Sequence, residues 1–409
     1  MQSINEESIA DLFFQLKWKS GIAGHTETYA ANAVNIWRDC LPAALHGSLL
    51  GRQSGDRFSM SFKPGELLNG AAQERDLTLS GRQFDSHRMA KDAPHVFMEH
   101  HPRMGRFYPR GLLKDVPGIF TQNRLPFRCT GVEADAFKAS LAHPLGRAPV
   151  TLDVSVGSVR EKTYERGGSS TGWIDLLTEG PGMQAPWNEV PTDFYAGAPF
   201  RRADETQDAD FYRRPRLVDH IDQTAQEMLS SLYTRFMEDE MRILDLMSSW
   251  HSHLPTGLRP RQVTGVGLNA EELRRNPALT EGIVQDLNIN PRLPFADGSF
   301  DLALCALSVE YLTAPHRVFQ EVARVLAPGG GLIVSFSNRW FPAKAIQLWA
   351  CLHEFERMGL VLDYFTRSGQ FVDLGTYSIR GLPRPWSDRY ARQEPYSDPL
   401  YIVWGYRQY

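Results

Sequence analysis

The sequence is short of several features that would assign a chain quickly. Of its 409 residues only four are cysteine. Cys40, Cys129, Cys305 and Cys351 are scattered, and two lie inside apolar segments. That spacing offers neither a disulfide framework nor a cysteine metal site, so the thiols read as reduced packing residues. Neither charge sign dominates: Lys+Arg 44 against Asp+Glu 48 leaves a net charge of −4. The basic excess of a nucleic-acid surface is absent. No apolar run reaches the roughly 18 residues of a membrane-spanning helix. The opening Met1-Gln-Ser-Ile-Asn-Glu-Glu7 is acidic and has no signal-peptide core. These absences predict a cytoplasmic protein with no nucleic-acid or membrane partner. There are no internal repeats and no low-complexity tracts. One histidine-rich patch (His87, His95, His100 and His101, with Glu99) lacks tight paired-ligand spacing and predicts a solvated loop with no metal.

What is present follows two grammars. Residues 1–165 carry alternating apolar and polar runs: Phe58–Phe62, Phe127–Val132, Phe137–Leu141 and Val150–Val156. Period-two runs bounded by turn residues predict antiparallel strands with one wet face, hence a mostly-β first domain. Residues 166–210 are rich in glycine, proline, serine and charge and predict a linker, which Trp173, Trp187 and Phe194 would drape over a domain. Residues 211–409 alternate short apolar strands with helices. Val318, Phe319, Val322, Ala323 and Leu326 share one helical face, and Ala327-Pro-Gly-Gly-Gly331 stops that helix before the buried strand Leu332–Phe336. A parallel α/β sheet covered on both faces is the expected result. Lys344 to about Phe365 predicts one long helix.

In this second half "LPFADGSFDLALCALSVEYL" followed by "VFQEVARVLAPGGGLIVSFSN" resembles the type 11 S-adenosylmethionine-dependent methyltransferases. The resemblance implies a Rossmann-like doubly wound sheet over 211–409, with S-adenosyl-L-methionine as cofactor. Carried over residue by residue, it makes Asp245, at the end of the first strand, and Asp286, after the third, cofactor-binding, Asp286 through adenine. Leu287 and Ser308 join them at strand ends. Two departures stand out. The family's glycine-rich loop after strand one is replaced by Met247-Ser-Ser-Trp-His-Ser-His253, so Ser248 and Ser249 take its place, and Gly267 stands where an acid normally receives the ribose hydroxyls. Asn269 or a neighbouring side chain is then the candidate for the ribose. Glu310 and Tyr311, at the carboxyl edge after strand four, are the catalytic candidates on the substrate side. His220, His251 and His253 are further candidates for a base, and Arg339, Trp340 and Phe341 for acceptor contacts. A small molecule or a protein side chain is the expected acceptor. The alternative is a catalytically inactive scaffold.

Two stretches of the first half, "LPAALHGSLLGRQSGDRF" and "GVEADAFKASLAHPLGRAPVTLDVSV", resemble FKBP-type peptidyl-prolyl isomerases with an inserted flap. "MEHHPRMGRFYPRGLL" would fall in the insert. The resemblance implies an FKBP-like fold over 1–165 that binds a peptide or partner. An aromatic usually stands in that family where Leu152 stands here, and Trp37-Arg-Asp39 only approximates its early pattern. Prolyl isomerase activity is therefore expected to be weak or absent.

Overall fold

The computed structural model describes residues 2–68, 76–89, 101–163 and 168–409. Two twelve-residue strands open the chain: β1 (Ser8–Lys19) and β2 (Gly24–Asn35) pair antiparallel. Neither strand is among the expected ones, yet Ala10, Leu12, Phe14, Leu16 and Trp18 all point inward from β1 at period two. Helix α1 (Ala43–Leu49) buries Leu45 and Leu49 in the core under these strands. Next comes β3 (Arg57–Phe62).

Between β3 and the strand that pairs with it lies a separate sheet. Its members are β4 (Asp76–Ser80), β5 (Phe107–Pro109), β6 (Pro126–Val132) and β7 (Ala136–Ser140), in the order β4-β7-β6-β5. It encloses its own core of Phe84, Tyr108, Phe127 and Phe137. The chain then returns as β8 (Val150–Glu161), which pairs antiparallel with both β1 and β3. The strands expected near 58–62, 127–132, 137–141 and 150–156 are all present. His95, Glu99 and His100 of the histidine patch lie outside the described residues, and His87 and His101 are exposed.

The segment expected as a linker is packed. Helix α2 (Trp173–Thr178) buries Trp173, Ile174 and Leu177 against β1, β2 and β8. The Trp173 indole donates to Asp39 Oδ2 at 2.8 Å. Gly180 passes so close to Phe355 that a Cβ there would sit 1.9 Å from its ring, and Met183 and Phe194 join the second-half core. Helix α3 (Asp208–Phe211) and helix α4 (Gln223–Tyr233) precede the next strands, with Asp222 capping α4 at Ala225 N.

The second half follows the expected alternation: β9 (Arg242–Leu246), β10 (Gln262–Gly267), α5 (Ala270–Arg275), β11 (Glu281–Val284), β12 (Phe300–Ala306), α6 (Pro315–Val325) and β13 (Leu326–Phe336). The run Ala327–Gly331 ends α6 as expected, but it already belongs to β13. The long helix expected from Lys344 is corrected to two, α7 (Gln347–Cys351) and α8 (Glu354–Ser368). His353 breaks it. Its Nδ1 accepts from Phe355 N at 3.2 Å while Glu356 accepts from His353 N, a capping box that starts a new helix. Burial lowers the His353 pKa to about 4, which keeps that ring neutral and able to accept. Strands β14 (Phe371–Arg380) and β15 (Leu400–Arg407) close the chain.

All but the inserted strands form one eleven-stranded mixed sheet, β11-β10-β9-β12-β13-β15-β14-β2-β1-β8-β3. β11 to β13 are parallel, and β15 enters antiparallel. The two halves meet where β14 pairs parallel with β2, so the boundary expected near residue 165 is bridged by backbone hydrogen bonds. Buried polar groups fix this seam. Glu27 of β2 accepts from Ser378 Oγ of β14 at 2.6 Å and from Gln184 Nε2 at 2.5 Å. His25 meets Thr376 Oγ1 at 2.8 Å and stacks on Trp18. A second clamp ties the inserted sheet to α8: Arg106 Nε and Phe107 N both donate to Glu356 Oε1, at 3.0 and 2.9 Å. Among the described residues no helix is long and apolar enough to cross a membrane.

Candidate cofactor and acceptor site

In the parallel half the chain winds outward from β9 in both directions, to β10 and β11 on one side and to β12 and β13 on the other. Loops at the carboxyl ends of such strands diverge and leave a crevice. Here the crevice is a cavity of about 350 Å³. That is within the range of about 300–1,000 Å³ usual for small-ligand sites. Asp245, Ser248, Ser249, Gly267, Asn269, Asp286, Leu287, Ser308 and Tyr311 all line it. Residues more than sixty positions apart in sequence are thus brought to one wall-enclosed space.

Asp245 forms the floor. Its Oδ2 accepts from Ser248 Oγ and Ser252 Oγ, both at 2.6 Å, and burial pushes its pKa up to about 6 against those two hydroxyls. The serines thus do what glycines would not: they pin the loop after β9 to the strand that precedes it. Asn276 Nδ2 holds the same loop from α5, donating to Ser249 O and Ser252 Oγ at 2.8 Å. Met247 and His253 adopt φ of 52° and 54°, and Leu307, at the end of β12, 52°. Left-handed backbone is costly for such residues and gathers at functional sites.

The loop also explains Gly267. A Cβ at that position would stand 2.2 Å from Ser248 O, so no side chain fits there. Asn269 is fully committed. Its Oδ1 caps α5 at Glu271 N and Glu272 N, and its Nδ2 donates to Tyr212 O and Arg213 O. Asp286, on the cavity wall, uses Oδ1 to accept from Asn288 N at 2.8 Å and Ile289 N at 3.4 Å. Ser308 Oγ donates to Ala306 O at 2.8 Å.

The two catalytic candidates part company. Tyr311 lines the cavity, and its hydroxyl accepts from Phe341 N at 2.8 Å. Burial, reinforced by Glu310, raises its pKa far above the ordinary phenol value, so it stays a proton donor and is no base. Glu310 is corrected: it does not line the cavity. It sits in the core behind it, 1% exposed, with Oε2 lacking a hydrogen bond and its pKa pushed up to about 7 by burial. The residue after the strand end turns into a 3-10 turn, Val309–Tyr311, which alternates the two side chains between core and cavity.

His220, His251 and His253 all line the cavity, with the His251 and His253 ring centres 4.3 Å apart. Burial lowers the His253 pKa to about 3, and its Nδ1 has no partner among the described residues. Arg339, Trp340 and Phe341 line the cavity too. Sequence reading missed Asp208, Tyr212, Arg216, Glu272 and Lys344, which also line it. Lys344 is fully buried between Thr206 O and Asp208, at 2.6 and 3.2 Å. The Arg216 guanidinium lies over Phe211 at 4.3 Å and Phe341 at 4.9 Å, with Nη1 buried and without a partner. These residues come from the segment before β9, from α5 and from the turn between β13 and α7, where no motif marks them. Among the described residues no cluster of three or more histidine, cysteine or acidic side chains is placed to hold a metal.

The cavity suits a nucleoside-bearing sulfonium. Leu268, Leu287 and Leu307 give the wall apolar surface, and Asp245 and Asp286 give it carboxylates. Among the described residues, His253 Nδ1 and Arg216 Nη1 are buried polar atoms on this wall with no hydrogen-bond partner.

Residues 249–334 match the family model described as "Methyltransferase domain". The chain is 30% identical over 124 residues to the ubiquinone/menaquinone biosynthesis C-methyltransferase UbiE of Laribacter hongkongensis, covering 30% of this chain and 50% of that protein. It is 36% identical over 94 residues to the enzyme of the same description from Roseobacter denitrificans, 22% of this chain and 36% of that one. The chain thus spans half or less of the length of these curated relatives. A solved S-adenosylmethionine-dependent methyltransferase from Aquifex aeolicus superposes with a TM-score of 0.33 at 14% identity, over 49% of this chain and 100% of that one.

Proposed function

We propose, starting from residues 249–334 as an S-adenosylmethionine-dependent methyltransferase domain, that the whole chain transfers a methyl group to a small-molecule acceptor. The observation that carries this reading is the convergence of Asp245, Ser248, Gly267, Asp286, Leu287 and Ser308 on one cavity at the carboxyl ends of the parallel strands. When bound, the cofactor supplies an electrophilic methyl on sulfur. The chain's part is alignment and exclusion of water. Asp245 orients the ammonium end, Asp286 Oδ2 receives the adenine amine, and Tyr212, Phe341 and Trp340 wall the acceptor side. Tyr311 donates a hydrogen bond. His220, His251 and His253 stand on the wall as imidazoles within reach of a protonated nucleophile. The relatives named above are C-methyltransferases, which favours a small molecule over a protein side chain.

For residues 1–165 we propose an FKBP-like unit that binds a partner without efficient isomerisation. The antiparallel set β3-β8-β1-β2, the short helix beneath it and a sheet inserted after β3 support the fold. The engagement of Asp39 by Trp173 and the full burial of Leu152 in the core support weak isomerisation. A prolyl-peptide assay on the full chain is expected to show little turnover.

Asp286→Ala tests the cofactor reading. S-adenosylhomocysteine affinity, followed by calorimetry, should fall about tenfold with the loss of one charge-assisted hydrogen bond. Unchanged affinity would mean that the ligand lies elsewhere.

A further inference from the structure

A ribose presents two adjacent hydroxyl donors, and the acceptor that matches them is a carboxylate with both oxygens accessible. Dinucleotide folds use an acid beside the second strand for this purpose. The end of β10 offers none, because Gly267 can carry no side chain under Ser248 O and the amide of Asn269 is saturated. Five carboxylates line the cavity: Asp208, Asp219, Asp245, Glu272 and Asp286. Asp208 is neutralised by Arg202 and Lys344. Asp245 is the floor acid beneath two serines. Asp286 lies past the end of β11, and Asp219 is exposed at the rim.

Glu272 remains. It stands in the first turn of α5, the helix that begins directly after β10, and it is 8% exposed. Its Oε1 accepts from Arg216 N at 2.6 Å and its Oε2 from Ser249 Oγ at 2.7 Å. The carboxylate is therefore held from two sides of the cavity, by the segment before β9 and by the loop after it. A carboxylate has about four lone-pair sites, so each oxygen keeps one for a further donor. We infer that Glu272 receives the ribose hydroxyls of the S-adenosyl cofactor, in place of the acid that the end of β10 lacks. The inference rests on the cofactor reading above. It also accounts for the serine-bearing loop: Ser249 steadies the displaced acid while Ser248 closes the position it has left.

The test is calorimetry of the full chain with S-adenosylhomocysteine and with its 2′,3′-dideoxy analogue. Removing the hydroxyls should weaken binding to the wild type by roughly tenfold or more. Glu272→Gln should weaken S-adenosylhomocysteine by a similar factor and should bind the two ligands nearly alike. Glu271→Gln, whose native carboxylate binds Arg274 and Arg275 instead, should behave as wild type. Should circular dichroism show the glutamine variant unfolded, Glu272→Asp, with its acid withdrawn by one methylene, replaces it under the same criteria. A folded variant with wild-type affinity, or one that still distinguishes the two ligands, overturns the assignment. If the wild type binds neither ligand, the cofactor reading falls and this one with it. Tight wild-type binding with an indifferent Glu272 variant removes this inference alone.

Discussion

Glu27 lies at the seam between the halves and is fully buried. Burial raises its pKa from the ordinary 4.5 to about 7, against the pull of Ser378, Arg380 and Gln184. The folded state therefore holds the proton more tightly than the unfolded chain does. The stability this contributes is fully present below a pH of about 4.5 and is lost as the pH rises through about 7, a swing of about 3 kcal/mol. Glu27→Gln keeps the shape and is neutral at every pH. Its amide can still accept from Gln184 and bond Ser378, at a cost of about 1 kcal/mol if one geometry is poor. The variant should thus be near or slightly below wild type at pH 5 and more stable by about 2 kcal/mol at pH 8. Urea unfolding of both proteins across that range reads the difference directly. Asp245, Glu310 and Glu356 are present in both proteins and cancel. A difference that does not change with pH, or a glutamine variant that loses ground at pH 8, would refute the argument that an ionisable group is buried between β2 and β14.

Two further outcomes follow from close contacts. Restoring an acid by Gly267→Asp should not improve cofactor binding. It should lower the thermal midpoint and weaken S-adenosylhomocysteine, because its Cβ would stand 2.2 Å from Ser248 O, and tighter binding in calorimetry would count against the described loop. Glu356→Ala removes the carboxylate that accepts from Arg106 Nε, Phe107 N and His353 N and should cost about 3–5 kcal/mol in urea unfolding. Arg106→Met combined with Glu356→Leu should recover only part of that, because Phe107 N and the His353 cap lose their acceptor. A single variant that costs under about 1 kcal/mol would mean that the pair is solvated.

Much of the second half could be read from the sequence, because a parallel sheet writes itself as apolar runs separated by helical stripes. Asp286 and Leu287 came from the family resemblance, and both line the cavity. Glu310 was not, since adjacent residues on a 3-10 turn face opposite ways and a sequence does not say which. His353 hid a helix break because a histidine capping a helix looks like any other polar residue in an amphipathic stretch. The pairing of β2 with β14 joins residues about 350 apart, and no local pattern encodes it. Strand β1 was legible in its alternation and overlooked. Gly267 is the instructive case: as sequence it is a missing acid, and as structure it is the space that a neighbouring carbonyl requires.

The central claim is that the cavity at the carboxyl ends of β9 to β12 holds S-adenosylmethionine. Calorimetric titration of the full chain with S-adenosylmethionine and S-adenosylhomocysteine tests it most directly. Saturable binding of both ligands at one site per chain is the predicted result, and absence of binding by either at millimolar concentration would contradict it.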